Sequence, residues 1–223
     1  MKILVVGDLH GEFTNLINLI KNNKEITHIL QCGDFGCWRH VRPRIEKLNK
    51  VLTKAGIVLH WCDGNHEEFP FLYDNNMVTP NIIHQKRGST ITLPDGRVVL
   101  FIGGADSIDK GYRTAGYNWF PVEENITMED IDNLPDIGVD VIIAHTAPDY
   151  FELSLPKNGT FAGVNLEEYK DNNRKLLNIV YNKYKPPKWY FGHFHEYRIG
   201  IYENCEWTML SESKSDDIWN CFI

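Results

Sequence analysis

The chain has 223 residues, and its 23 Lys+Arg against 30 Asp+Glu give a formal net charge of −7 with the nine histidines left out. Hydrophobic residues make up 43% and charged residues 24%, ordinary globular usage that argues against wholesale disorder and supplies ample material for a core. The length suits one domain spanning residues 1–223, and the acidic balance argues against non-specific binding of long nucleic acid, which runs on clustered Lys and Arg.

Ile3 to Val6 is a continuous apolar run and predicts a buried strand. Phe13 to Lys21 has apolar residues at 13, 16, 17 and 20, the i, i+3, i+4, i+7 face of a helix. Thr27 to Gln31 predicts a second strand. Pro43 to Lys54 predicts a helix with proline in its first turn and Ile45, Leu48, Val51 and Leu52 on its apolar face. Gly56 stops it, and Ile57 to Trp61 is a third strand. Ser89 to Leu93, the turn Pro94-Asp95-Gly96 and Arg97 to Ile102 read as a hairpin. The Gly- and aromatic-rich stretch Gly103 to Pro121 reads as a long functional loop. Thr127 with Asp130 forms a capping box. Val139 to Ala144 is a buried strand, and Leu166 to Tyr184 a helix with Leu176, Leu177 and Val180 inward. Lys188 to Phe191, Tyr197 to Tyr202 and Glu206 to Leu210 close the chain as strands. Short apolar runs alternating with helical patterns predict an α/β or α+β fold.

The five cysteines, Cys32, Cys37, Cys62, Cys205 and Cys221, are odd in number and lack CxxC spacing. They read as reduced thiols of a cytoplasmic protein. The apolar start Ile3 to Val6 ends at Gly7-Asp8, too early for a signal peptide, and no stretch approaches 18 apolar residues, so no membrane association is expected.

Five predicted strands end in polar clusters: Gly7-Asp8-Leu9-His10-Gly11, Gly33-Asp34-Phe35-Gly36, Asp63-Gly64-Asn65-His66-Glu67, His145, and Gly192-His193-Phe194-His195. Ligands of α/β sheets gather at the carboxyl ends of strands. Asp, Asn and His without thiolate form a mixed oxygen/nitrogen donor set suited to Mn, Fe, Zn, Ni or Co. Each cluster alone reads equally as a turn or a helix cap. All five at strand ends point together to a pair of divalent metal ions, the arrangement that clamps an in-line phosphoryl displacement.

The ordered set GDLHG, GDFG, GNHE, His145 and GHFH, spanning residues 7 to 195, resembles the calcineurin-like metallophosphoesterase superfamily. The resemblance implies a four-layer α/β/β/α sandwich of two mixed sheets flanked by helices. It implies Asp8, His10 and His195 on the first metal, Asp34 bridging, and Asn65, His145 and His193 on the second, with a bridging hydroxide attacking phosphorus. His66 would stand just outside the ligands, steadying the phosphoryl group or protonating the leaving oxygen.

The chain departs from the Ser/Thr protein phosphatases of that superfamily. Their second motif runs GDxVDRG, and an arginine precedes GNHE; here Cys37-Trp38-Arg39 and Asp63 stand in those places. The aspartate that normally orients the GNHE histidine is also gone, with Asp63 and Glu67 as substitutes to test. Arg39, Arg42 and Arg113 are the candidate phosphate grips, since a guanidinium matches phosphate as a planar fork. Tyr117, Trp119 and Phe120 either stack a nucleobase or pack the loop onto the sandwich. The reading is a metal-dependent phosphatase or phosphodiesterase acting on a small phosphate ester or nucleotide. Its rivals are a nuclease or nucleic-acid end phosphatase and a non-catalytic scaffold of the same fold.

Overall fold

The computed structural model describes residues 2–74, 79–153, 159–162 and 164–223. Strand β1 (Lys2–Val6) sets the layering, because its side chains alternate between two cores. Ile3 and Val5 face a buried layer shared with Leu30, Val99, Phe101, Val141 and Ile143. Leu4 and Val6 pack instead with Leu16, Ile20, Ile45, Leu48 and Leu52 of helices α1 (Thr14–Asn22) and α2 (Arg42–Ala55). That is the period-two geometry of a strand buried on both faces.

β1 lies in a five-stranded sheet. Strands β2 (Ile26–Gln31), β3 (Val58–Trp61) and β4 (Ile82–His84) follow it in parallel, and β13 (Asn220–Phe222) pairs antiparallel on its other side. The second sheet has six strands. β12 (Cys205–Met209), β10 (Lys188–Phe191), β7 (Val141–Ala144) and β6 (Val98–Ile102) run parallel at its centre, with β11 (Arg198–Tyr202) and β5 (Thr90–Thr92) antiparallel at the edges. Its outer face is covered by α4 (Met128–Asp132) and α5 (Asn172–Tyr184) through Ile131, Leu177, Val180 and Tyr181. The layers are therefore helix, sheet, sheet, helix, as the resemblance implies.

The predicted elements recur with shifted ends. Gly56 ends α2 in the left-handed conformation at φ 68°. The Thr127–Asp130 capping box forms on α4. The helix expected from Leu166 starts six residues later, at Asn172. Val164–Asn165 is instead strand β9, paired with β8 (Thr160–Phe161), and the Asp171 carboxylate caps α5 by accepting from the N–H groups of Asn173 and Arg174. β4, β13 and the single turn α3 (Phe69–Leu72) carry no periodic signal, being three or four residues long.

At the end of β3 a buried ion pair ties the two sheets. Arg87 donates to Asp63 Oδ2 from Nε at 3.1 Å and from a terminal nitrogen at 2.7 Å. It also reaches the carbonyl of Glu123 at 2.7 Å. Burial works to raise the Asp63 pKa, but the Arg87 charge outweighs it and holds the carboxyl far below the usual range. Removing one partner strands the other charge, which costs about 3–5 kcal/mol. Arg87→Ala is therefore expected to lose about that much stability in urea unfolding. A loss under about 1 kcal/mol would show that Asp63 is compensated elsewhere.

Candidate metal centre

Each motif follows the carboxyl end of a parallel strand: Asp8 and His10 follow β1, Asp34 follows β2, and Asn65 and His66 follow β3. His145 follows β7, and His193 and His195 follow β10. Their loops are hydrogen-bonded to one another. The N–H groups of Leu9 and His10 donate to the Asp34 carbonyl at 3.0 and 2.8 Å. His145 Nδ1 lies 2.8 Å from the Cys32 carbonyl of the opposite sheet. Among the described residues seven non-glycines have positive φ, and four of them are His10 (48°), Asp34 (50°), His193 (70°) and His195 (54°). Such backbone costs about 1–3 kcal/mol per residue and persists where its surroundings over-determine it. Glycine is required beside both carboxylates: a Cβ on Gly64 would collide with Asp34 Oδ1, and one on Gly192 with Asp8 Oδ1.

Ligand atoms of Asp8, His10, Asp34 and His195 lie within 4.8 Å of one another. His195 Nε2 is 3.2 Å from Asp8 Oδ2 and 3.1 Å from His10 Nε2. His10 Nε2 is 3.8 Å from Asp34 Oδ2. Asp34 also faces a second group. Its Oδ1 lies 3.3 Å from His145 Nε2, which is 3.0 Å from Asn65 Oδ1. The His193 ring centroid is 5.0 Å from that of His145, and the His193 N–H donates to the Asp8 carboxylate. Asp8, His10, Asp34 and His195 thus form one cluster of possible ligand atoms, and Asn65 and His145 lie on the other side of Asp34, with the His193 ring beside that of His145.

The charge balance of the site suits cations. Asp8 is 0% and Asp34 1% exposed. Among the described residues their ion-pair partners are histidines alone. Buried carboxylates are costly unless paired or coordinated to metal. Burial works to raise the Asp34 pKa, but His145 and His66 outweigh it and hold it well below the carboxylate range. Burial likewise works to lower His145, and Asp34 overrides it, pushing the imidazole up to about 10. Burial and the neighbouring His145 push His193 well down. Divalent ions on these oxygen and nitrogen atoms would take the place of such protons. The donor set, free of thiolate and of competing Lys or Arg, fits them.

His66 stands beside this set. Its N–H donates to Asp34 Oδ1 at 2.8 Å, and its ring lies edge-on to His10 at 5.2 Å between centroids. A guanidinium nitrogen of Arg113 sits 2.8 Å from His66 Nδ1 and in close contact with Nε2. Arg113 Nε in turn donates to Asp109 Oδ2 at 2.8 Å. Burial pushes the His66 pKa down to about 4; Asp34 opposes this and Arg113 reinforces it.

The two carboxylates suggested for orienting His66 do other work. Asp63 is spent on Arg87 and sits 3.5 Å from His84. Glu67 accepts the N–H groups of Gly36 and Cys37, which pins the second motif to the third, and burial pushes its pKa well up. The carboxylate that approaches His66 is Asp109, whose Oδ2 is 3.8 Å from Nε2. Its sequence signal was the i, i+4 spacing to Arg113 in the loop. Arg39 lies apart: its side chain is 64% exposed, paired with Glu68 and laid over Phe71 at 5.1 Å. Arg42 pairs with Glu46 along α2.

Trp119 and Phe120 pack rather than face solvent. Phe120 joins the first core, and Trp119 Nε1 donates to Glu124 Oε1 at 3.0 Å. Glu124 also accepts from the Ser107 hydroxyl at 2.7 Å, and Ser107 Oγ accepts from Asn65 Nδ2 at 3.1 Å. This buried chain turns Asn65 Oδ1 toward His145. Sequence reasoning missed Ser107 and Glu124, which carry no motif. Tyr117 stays 76% exposed, at a cleft of about 690 Å³ that opens beside His10 and His66.

The family profile for calcineurin-like phosphoesterases matches residues 1–197. No curated protein matches the chain. Among solved structures, TT1561 of Thermus thermophilus superposes with a TM-score of 0.58 at 10% identity, covering 95% of this chain and 89% of its own. Phosphopantetheinyl hydrolase from Mycobacterium tuberculosis gives 0.54 at 10% identity, covering 100% and 95%. GAP50, the anchor in the inner membrane complex of Plasmodium, gives 0.55 at 13% identity, covering 100% and 80%. At such identities these likenesses show the two-sheet fold. The profile reaches further, because it matches most of the chain: the chain belongs to the calcineurin-like phosphoesterases, a family of metal-dependent phosphoester hydrolases.

Proposed function

We propose that the chain hydrolyses a small phosphate mono- or diester at a dinuclear centre shared through Asp34. The observation that carries this is the convergence of four ligand atoms within 4.8 Å on two buried carboxylates that have only histidines as ion-pair partners among the described residues. Asp8, His10 and His195 would hold one cation, Asn65, His145 and His193 the other, and Asp34 both. Manganese suits this donor set, with Fe, Zn, Ni and Co as alternatives. When bound, the cations supply charge neutralisation at phosphorus and an acidified water.

The chain's own groups do the rest. Asp34 fixes the spacing of the two ligand groups and receives the His66 N–H. His66 offers its ring to the phosphoryl or leaving oxygen from outside the ligands. Arg113, 6% exposed, grips the His66 ring and brings a fixed positive charge beside the phosphoryl position. Residues 1–223 act as one domain, because the first sheet contributes four of the proposed ligands and the second three. Free thiols at all five cysteines support a cytoplasmic setting, and no described helix is long and apolar enough to cross a membrane.

The nuclease reading needs a basic groove, and Arg44, the arginine lining the cleft, is already paired with Glu12. The scaffold reading draws on GAP50, an anchor by its description. The complete donor set favours catalysis over it.

A panel of p-nitrophenyl phosphate, its bis-ester, cyclic nucleotides and dinucleotide polyphosphates with added Mn²⁺ tests the proposal. Asp34→Ala is expected to lose bound metal and turnover together. Equal activity in wild type and Asp34→Ala would defeat the enzyme reading and leave the scaffold.

His66→Ala is expected to keep its metal content by elemental analysis while turnover falls about 10²–10⁴-fold, the range of general acid help. Loss of metal in that variant would move His66 into the ligand shell.

Arg113→Ala is expected to lower kcat and kcat/KM together by at least about tenfold, because a group acting in the transition state is removed. Unchanged kinetics would take Arg113 out of the site.

A further inference from the structure

We infer that Glu124, a residue of no motif, is a positioning residue that fixes which end of the Asn65 amide faces His145, and with it how tightly a second cation binds. This rests on the proposed dinuclear centre. Asn65 can ligate only through Oδ1, because its NH₂ end offers hydrogens rather than lone pairs. Turning the amide over exchanges the two ends with almost no change in shape, so packing does not choose between them. Hydrogen bonding has to.

The choice can be followed atom by atom. Glu124, Ser107 and Asn65 are all buried, so their bonding falls to protein groups. Glu124 Oε1 accepts from the Ser107 N–H and from Trp119 Nε1, both at 3.0 Å. Its Oε2 takes the Ser107 hydroxyl hydrogen at 2.7 Å. Ser107 Oγ has then spent its one hydrogen and keeps only lone pairs. Arg113, a donor only, lies 3.3 Å from it. The remaining lone pair meets Asn65 at 3.1 Å, where the NH₂ end alone satisfies it. Oδ1 is thereby left to face His145 Nε2 at 3.0 Å. The backbone holds Glu124 in place: its N–H donates to the Phe120 carbonyl, and its carbonyl accepts the Ala105 N–H, both at 3.0 Å.

Glu124→Gln keeps the shape and reverses the run of donors. The Ser107 N–H and Trp119 Nε1 can only donate, so they claim the carbonyl oxygen of the new amide, and its NH₂ turns to Ser107 Oγ. With that group and Arg113 on its lone pairs, the hydroxyl sends its hydrogen to Asn65, which accepts only through Oδ1. The Asn65 amide then turns over and sets its NH₂ toward His145, whose Nε2 keeps Asp34 Oδ1 as a partner at 3.3 Å. A cation on that side has lost a ligand atom and meets two hydrogens instead. Trp119→Phe removes one donor from Glu124 and leaves the hydroxyl direction as it is, so it measures local loosening alone.

In the metal-free protein, nuclear Overhauser contacts of the Asn65 side-chain NH₂ report its direction without metal or turnover. They are expected to reach the Ser107 β protons in the wild type and in Trp119→Phe, and the His145 ring in Glu124→Gln. Equilibrium dialysis against Mn²⁺ with elemental analysis gives the second readout. The second ion is expected to bind at least about tenfold more weakly in Glu124→Gln, the lower end of the loss when a group orienting a metal ligand is removed, and with wild-type affinity in Trp119→Phe. Ser107→Ala cuts the same relay without altering a buried charge; it is expected to weaken the second ion likewise and serves where Glu124→Gln does not fold. Amide contacts unmoved in Glu124→Gln, or a second ion held at full affinity by it or by Ser107→Ala, would overturn the inference. A wild type that takes up fewer than two Mn²⁺ while the amide still switches in Glu124→Gln would keep the hold of Glu124 on Asn65 and overturn the dinuclear reading instead.

Discussion

Asp8 and Asp34 are carboxylates buried at neighbouring strand ends with only imidazoles for counter-ions among the described residues, and much of the fold exists to make that tolerable. Water is excluded from them by the two sheets, whose strand ends meet above the shared core. Two glycines let other loops close over their oxygens. Backbone N–H groups of His66 and His193 bond them directly. Four residues of the site accept left-handed backbone to present these atoms. Without cations the imidazoles must carry the compensating protons, which is why His145 is so strongly basic here. Bound cations would remove that tension, so the strain and the donor chemistry would have one common explanation.

What the sequence made legible follows from where the signal is local. Apolar runs ending in Gly and Asp announced the strands and the carboxyl-end loops, where Asp8, His10, Asp34 and His195 lie together. The four layers came from the resemblance, while the run Ile3 to Val6 by itself announced only a buried strand. Distant pairings were not legible. Nothing within Asn220–Phe222 says that it pairs beside β1, since a three-residue strand owes its existence to its neighbour. The helical pattern runs on from Leu166, while a cap at Asp171 and the β8–β9 pairing override it and start α5 later.

Charged side chains were the hardest to place. Asp63, adjacent to the third motif, looked available to His66 but belongs to Arg87, which lies 24 residues away and on no motif. Arg39, two residues past Cys37, looked like a phosphate grip and turns outward to Glu68. Arg113 reaches the site from a loop with no regular pattern. Sequence spacing constrains where a backbone goes, and ion-pair choice depends on which long side chains the fold then brings within reach.

The Gly103–Pro121 loop makes the site's functions interdependent. Ser107 orients Asn65, Asp109 and Arg113 hold the His66 ring, Trp119 locks onto Glu124 beneath, and Tyr117 overhangs the cleft. One segment therefore touches Asn65, the His66 ring and the wall of the cleft beside them. This coupling also qualifies the net charge of −7. Bulk acidity repels polyanions from the surface at large, yet this loop brings the permanent cation of Arg113 beside His66. A small ester that needs only that point passes the bulk field at little cost, whereas a long polyanion meets it along its whole length. Under the proposed function, the loop that holds His66 would thus also favour small substrates over nucleic acid.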